Sequence, residues 1–166
     1  MNDSFYEQLV AKKSGTNDKI LRILLIVLVV MVIVSALYLG PLMIPVGIVL
    51  AVILRFLVFP KFHVEYEYSL LNWEMNIDVI YNQLKRKHLL VLDLKEAEVI
   101  APKNSHYLDS YQAGYKTLDY SAGNPEEQPY AIMMVIDRVM TCILIQPDAK
   151  MLDHMASFLP RTLHRD

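Results

Sequence analysis

Ser105, His106 and Asp109 bring a hydroxyl, an imidazole and a carboxylate close together along the chain. A nucleophilic mechanism needs the nucleophile held against its base by separate elements, and adjacency in sequence does not supply that. The same residues suit a turn opened by Ser105 and packed down by Tyr107, Leu108 and Tyr111. Glu65, Glu67, Glu74 and Asp78 form a second candidate group. Paired carboxylates do acid–base work when burial shifts their pKa values, but these four alternate with apolar residues and read as the solvated face of a sheet. The five histidines, His63, His88, His106, His154 and His164, show no metal-ligand spacing. Cys142 is the single cysteine, so no intrachain disulfide can form, and within "TCILI" it reads as a small buried hydrophobe. No phosphate-cradling glycine loop, nucleophile elbow or zinc-protease helix is present. The expectation is a protein that is not an enzyme, with no metal and no cofactor.

The residues with the clearest binding chemistry are Lys85, Arg86 and Lys87, followed by His88, in "LKRKHLL". They fall between two strand patterns and read as a basic turn. Three readings stay open. The turn blunts a sheet edge, which lysine does well. It meets anionic lipid headgroups, where each basic residue contributes about 1 kcal/mol near the surface. Or it contacts an acidic groove on a protein partner.

The elements that would carry these residues divide the chain in two. From Ile23 to Leu54 no side chain is charged. As one helix that run would be about 48 Å long at ~1.5 Å per residue, against a hydrocarbon core of about 30 Å. Gly40 and Pro41 lie near its middle and break it. Two spans follow, roughly Ile20 to Leu39 and Leu42 to Phe59, with Pro45 in the first turn of the second, where its missing N–H costs least. One span followed by an in-plane segment is the alternative. "VSA" at Val34 to Ala36 resembles a signal-cleavage site, but the apolar run is long for a signal and continues past it. Lys12, Lys13, Lys19 and Arg22 precede the first span, Arg55 and Lys61 close the second, and the connecting "YLGP" is uncharged. By the positive-inside rule both termini are cytoplasmic.

Residues 1–18 read as a polar cytoplasmic tail, either disordered or forming one or two helical turns with Phe5, Leu9 and Val10 on one side. Residues 19–60 form the helical hairpin and 61–166 a folded domain. In "FHVEYEY", Phe62, Val64, Tyr66 and Tyr68 share one face, the period-2 pattern of a strand. "WEMNIDVIY" is a second strand after a turn at "SLLN". "HLLVLDLKEAEVI" is a third, bent or continued as a fourth past Lys95. "YKTLDYS" is a weaker strand and "AGNPEEQP" a loop. "YAIMMVID" and "MTCILIQ" form a hairpin turned at "DRV". Met151, Leu152, Met155, Phe158 and Leu159 then recur at helical spacing behind Asp148, a plausible N-cap, and Pro160 stops the helix. Residues 61–166 carry 11 Lys+Arg and 15 Asp+Glu, a net of 11 − 15 = −4, which argues against a nucleic-acid partner.

Six or seven short antiparallel strands followed by one C-terminal helix resemble a pleckstrin-homology-like (PH-like) barrel. Two spans ahead of such a domain resemble bacterial membrane proteins that carry PH-like domains. The segment "EYEYSLLNWEMNIDVIYNQLKRKHLLVLDLKEAEVIAP" with "SHYLDSY" is similar to a family of small, uncharacterised bacterial membrane proteins. Its members carry an "EYEY…NGELDID" hairpin, then a basic turn, then a strand. Trp73 stands here where they carry Gly, and Trp tolerates positive φ poorly.

The resemblance implies a cytoplasmic PH-like domain anchored in the inner membrane of a bacterium, multi-pass, with the lipid bilayer as one partner. PH-like domains bind phosphoinositides, peptides or proteins and are not enzymes, so the expected work is binding or scaffolding for a protein partner or further copies of the chain. Sensing of anionic headgroups through Lys85 to Lys87, or a place as accessory subunit of a larger membrane complex, are the alternatives. Nine aromatic rings, Tyr66, Tyr68, Trp73, Tyr81, Tyr107, Tyr111, Tyr115, Tyr120 and Tyr130, divide between core, rim and a possible peptide groove.

Overall fold

A computed structural model describes residues 5–13, 15–59, 63–111, 114–124 and 127–165. Lys61, expected to close the second span, and Phe62, expected on the first strand's face, lie outside the described residues.

The apolar run breaks where Gly-Pro predicts. Helix α1 spans Thr16–Val34, a short α2 spans Ala36–Leu39, and α3 spans Met43–Ile53 and continues as a π-helical turn over Leu54–Val58. Gly40 sits at φ +92° between them, a backbone state that a side chain would strain. Thr16–Leu39, 24 residues, is long and apolar enough to cross a membrane; Met43–Val58 is a shorter apolar helix. α1 and α3 lie side by side. A Cβ on Gly47 would come within 2.5 Å of Ile33 Cγ1, so only glycine permits this approach.

Residues 5–11, open to either a disordered tail or one or two helical turns, form neither. Phe5–Ala11 is strand β1, antiparallel to β2 (Val64–Leu71), with Phe5 opposite Leu71 and Ala11 opposite Glu65. The helical hairpin is therefore inserted between two neighbouring strands of one sheet. The folded domain includes chain on both sides of it, and the boundary expected at residue 61 moves to include β1. The N-terminal strand is also tied to the far end of the chain. Tyr6 Oη donates to Asp148 Oδ2 at 2.5 Å, Gln8 Nε2 donates to the Gln146 carbonyl at 3.1 Å, and Asp148 N–H donates to Gln8 Oε1 at 2.9 Å.

β3 (Glu74–Tyr81) and β4 (Lys85–Asp93) complete the first sheet in the order β1-β2-β3-β4, all antiparallel. The second sheet has the order β5-β7-β8-β6, from β5 (Val99–Pro102), β6 (Lys116–Asp119), β7 (Tyr130–Ile136) and β8 (Val139–Ile145). β6 runs parallel to β8; the other pairs are antiparallel. The expected closed barrel of six or seven antiparallel strands is thus two separate four-stranded sheets. β4 and β5, read as one bent strand or two, are two strands, parted by a 3-10 turn at Leu94–Glu96.

The sheets face each other across one core. Tyr68, Leu70, Met75, Ile77 and Leu92 from the first meet Ile100, Ile132, Ile143 and Ile145 from the second. Helix α4 (Ala149–Phe158) closes the core with Met151 and Met155, both fully buried. Asp148 caps it as expected, accepting from Met151 N–H at 2.7 Å. Tyr68 Oη donates to the Tyr120 carbonyl at 2.5 Å, so its hydroxyl is satisfied inside. Burial, opposed by a backbone hydrogen bond at Gln146, holds this phenol well above its usual pKa.

Turn chemistry sets the registers. Asn72 takes φ +56° in the two-residue β2–β3 turn, so Trp73 keeps negative φ and the tight turn forms without the glycine. Lys95 Nζ lies 3.2 Å from the Trp73 ring centroid, a cation–π contact that holds the turn against the start of the 3-10 segment. Asp137 and Arg138 both adopt positive φ in the β7–β8 hairpin, the primed-turn geometry that matches strand twist.

Candidate functional site

The basic run is not a turn. The β3–β4 turn is made by Asn82 and Gln83, at φ +50° and +56°, and Leu84. Lys85 to His88 form the first half of edge strand β4, paired as Tyr81↔Lys85, Ile80↔Arg86, Val79↔Lys87 and Asp78↔His88. Strand alternation then divides the four residues between two faces. A bulge between Ile77 and Asp78 lets both Leu89 and Leu90 pack on the core beyond them.

Arg86 and His88 point to the outer face, where they meet acids. Arg86 Nη2 lies 2.7 Å from Glu67 Oε2, and Arg86 Nε donates to Asp78 Oδ2 at 2.7 Å. His88 Nδ1 is 2.7 Å from Asp78 Oδ1. Glu67, on a central strand, is only 6% exposed, against the solvated face expected for it. Burial pushes its pKa up to about 7; a hydrogen bond with Glu7 and the like charges of Glu7 and Asp78 add to this, and Arg86 opposes it. Burial also pushes Asp78 up, but hydrogen bonds from His88 and Arg86 outweigh it and hold that carboxyl below its usual value. The hydrogen bond to Asp78 raises Arg86 in turn. This cluster is a structural ion network that pairs the exposed Arg86 and His88 with acids of the same sheet.

Lys85 and Lys87 point to the other face and line a cleft of about 1080 Å³ at the foot of the helical hairpin. Lys12 and Arg55 join them, from the two ends of the hairpin. The walls are apolar and aromatic: Phe56 and Leu57 from the π-turn, Tyr66, Tyr81 and Leu89 from the sheet. Lys12 Nζ stands 6.0 Å from the Tyr66 ring centroid, and Tyr66 meets Tyr120 edge-on at 5.7 Å. Leu84, at the tip of the β3–β4 turn, is 86% exposed beside Phe56 at 70%. Sequence reasoning found two of the four cations. It placed Lys12 and Arg55 at the ends of the hairpin, but only the β1–β2 pairing brings them to the β4 lysines.

Ser105, His106 and Asp109 are not assembled as a nucleophile and base. His106–Leu108 is a 3-10 turn, as the packing reading expects. Ser105 Oγ is buried with no hydrogen-bond partner among the described residues. The His106 ring lies 4.0 Å from Tyr107, which stacks on His164 at 3.7 Å. Cys142 is 6% exposed, and burial, opposed by Lys103, raises its thiol pKa.

Two facing sheets closed by one C-terminal helix fit a domain of the PH-like class. Residues 2–165 match the family model described as Bacterial PH-like domain (DUF6106), and the chain belongs to that family. No curated protein and no solved structure matches it.

Proposed function

We propose that this chain is a membrane-anchored, non-catalytic binding module whose cleft takes an anionic lipid headgroup on the cytoplasmic face of a bacterial inner membrane. The observation that carries this reading is the set of four cations, Lys12, Arg55, Lys85 and Lys87, around an apolar cleft at the foot of the hairpin. A phosphate meets the ammonium and guanidinium groups, while Leu84 and Phe56 enter the apolar margin of the leaflet. Of the four residues singled out in the sequence, Lys85 and Lys87 serve this site, and Arg86 and His88 support the strand.

The apolar length of Thr16–Leu39 supports the anchor, and parity bears on the number of crossings. β1 and β2 are hydrogen-bonded neighbours that flank the hairpin. An odd number of crossings between them would leave them on opposite sides of the membrane. For a chain that crosses the membrane, this sheet therefore supports two spans, α1 with α3, over one. At ~1.5 Å per residue the first limb is roughly 36 Å long, enough for the hydrocarbon core of about 30 Å, and the second, roughly 24 Å, is shorter than that core. The cationic flanks support a cytoplasmic location for both termini.

The test uses the full chain in a neutral detergent, titrated with short-chain phosphatidylglycerol and, separately, short-chain phosphatidylcholine. Native mass spectrometry should show saturable binding of the anionic lipid and little of the zwitterionic one. Lys85→Glu with Lys87→Glu should reduce the anionic affinity by at least about tenfold, as two lost charges of about 1 kcal/mol each imply. Equal binding of both lipids, or no effect of the double variant, would remove the headgroup reading. A stoichiometric protein that co-purifies without lipid dependence would favour an accessory subunit instead.

A further inference from the structure

We propose that the outer face of the second sheet holds a separate site for a small organic carboxylate with an apolar body. The alternating residues Ala131, Met133, Cys142 and Leu144 of β7 and β8 point away from the central core. On a sheet face open to water these positions would be polar. Here they are apolar and form the floor of a cavity of about 520 Å³, within the usual range for small-molecule sites. Residues between Lys103 and Tyr111, together with Tyr115, wall the cavity on one side. Short side chains at Ala131 and Cys142 leave the floor flat.

Two features of the wall point to the ligand's chemistry. Ser105 is more than nine-tenths buried and lines the cavity, yet its Oγ has no hydrogen-bond partner among the described residues. A buried hydroxyl left unpaired costs about 1–3 kcal/mol, and a ligand oxygen would recover that. Lys103 supplies the cation. Its backbone N–H is fixed to the Pro129 carbonyl at 2.9 Å, and its charge reaches the floor, where it pulls the Cys142 thiol down against the effect of burial. Asp119 opposes Lys103 at that thiol, and Asp109 also lines the cavity, so Lys103 is the cation available to an anionic ligand there. A ligand carboxylate between Lys103 and Ser105, with its apolar body on Met133 and Leu144, uses all these groups. Tyr111 Oη donates to Glu98 Oε2 at 2.8 Å, which keeps the aromatic wall in place.

Cys142 is the chain's one thiol and lies on the floor, so its alkylation reports occupancy. The full chain in neutral detergent is treated with N-ethylmaleimide, with 4-phenylbutyrate present or with 4-phenylbutanol as the uncharged match. The carboxylate should slow alkylation in a saturable way, and the alcohol much less. Lys103→Met should weaken that protection about tenfold, the effect of one charge-assisted hydrogen bond, with an unchanged thermal midpoint. Lys85→Glu with Lys87→Glu should leave it unchanged. The Met133 methyl resonance reads the same floor should the thiol react too slowly. Equal protection by both compounds, protection that survives Lys103→Met, or no response of either probe would overturn the proposal.

Discussion

Glu67 shows how one buried carboxylate sets a pH dependence. Its folded-state pKa is raised from 4.5 to about 7, so the folded protein binds its proton more tightly than the unfolded chain does. Its contribution is most favourable below the unfolded value and is lost as pH rises through about 7. Asp78 has the opposite sign. Its folded pKa is lowered from 3.8, so its contribution is present above that value and lost as pH falls below it. Together they give greatest stability in mildly acidic solution. The thermal midpoint should fall between pH 5 and pH 8, and Glu67→Gln should flatten that slope while leaving the acid limb set by Asp78. A Glu67→Gln profile that still falls between these pH values would assign the slope elsewhere. No residue pattern signals this. Glu67 alternates with tyrosines like any solvated strand residue, and its burial comes from β1, whose chain lies beyond the hairpin.

At the scale of elements, the parts legible in sequence were those with local signals. The Gly-Pro break, the Asp148 cap, the Met151–Met155 stripe and the "DRV" turn each depend on residues a few positions apart. β1 was read as tail or helix because "FYEQLVA" mixes apolar and polar residues on both faces, and its partner lies more than fifty residues away along the chain. The β3–β4 turn lies three residues ahead of the basic run, and Asn82 and Gln83 carry its positive φ without a glycine to mark it. The continuous apolar strands β7 and β8 did hold a signal for a sheet covered on both faces. Two outcomes belong here. Removing residues 1–11 exposes β2 as an edge and takes Tyr6 and Gln8 from the α4 end, so residues 12–166 should unfold at lower temperature and show fast amide exchange in β2. Native-like protection of β2 in that fragment would deny β1 a structural role. Gly47→Val, which forces a branched side chain against Ile33, should destabilise the hairpin by about 1–3 kcal/mol, read as loss of α1–α3 crosslinking between introduced cysteines. Undiminished crosslinking would mean that the helices do not rely on this contact.

For the whole molecule, the governing fact is that an apolar helical hairpin interrupts a β-sheet between hydrogen-bonded neighbours. The sheet fixes both feet of the hairpin at one point, and the cationic cleft lies at that point. Hairpin and cleft are thus parts of one arrangement, and under the proposed function the direction of the hairpin decides which leaflet the cleft meets. Single-cysteine variants in a Cys142→Ser background test this directly. Tyr38→Cys lies at the exposed hairpin tip and Ser157→Cys on the exposed surface of α4. With a membrane-impermeant maleimide on intact bacterial cells stripped of the outer membrane, Tyr38→Cys should label and Ser157→Cys should label only after permeabilisation. Labelling of Ser157→Cys in intact cells, or protection of Tyr38→Cys there, would contradict a two-span hairpin with its folded domain in the cytoplasm.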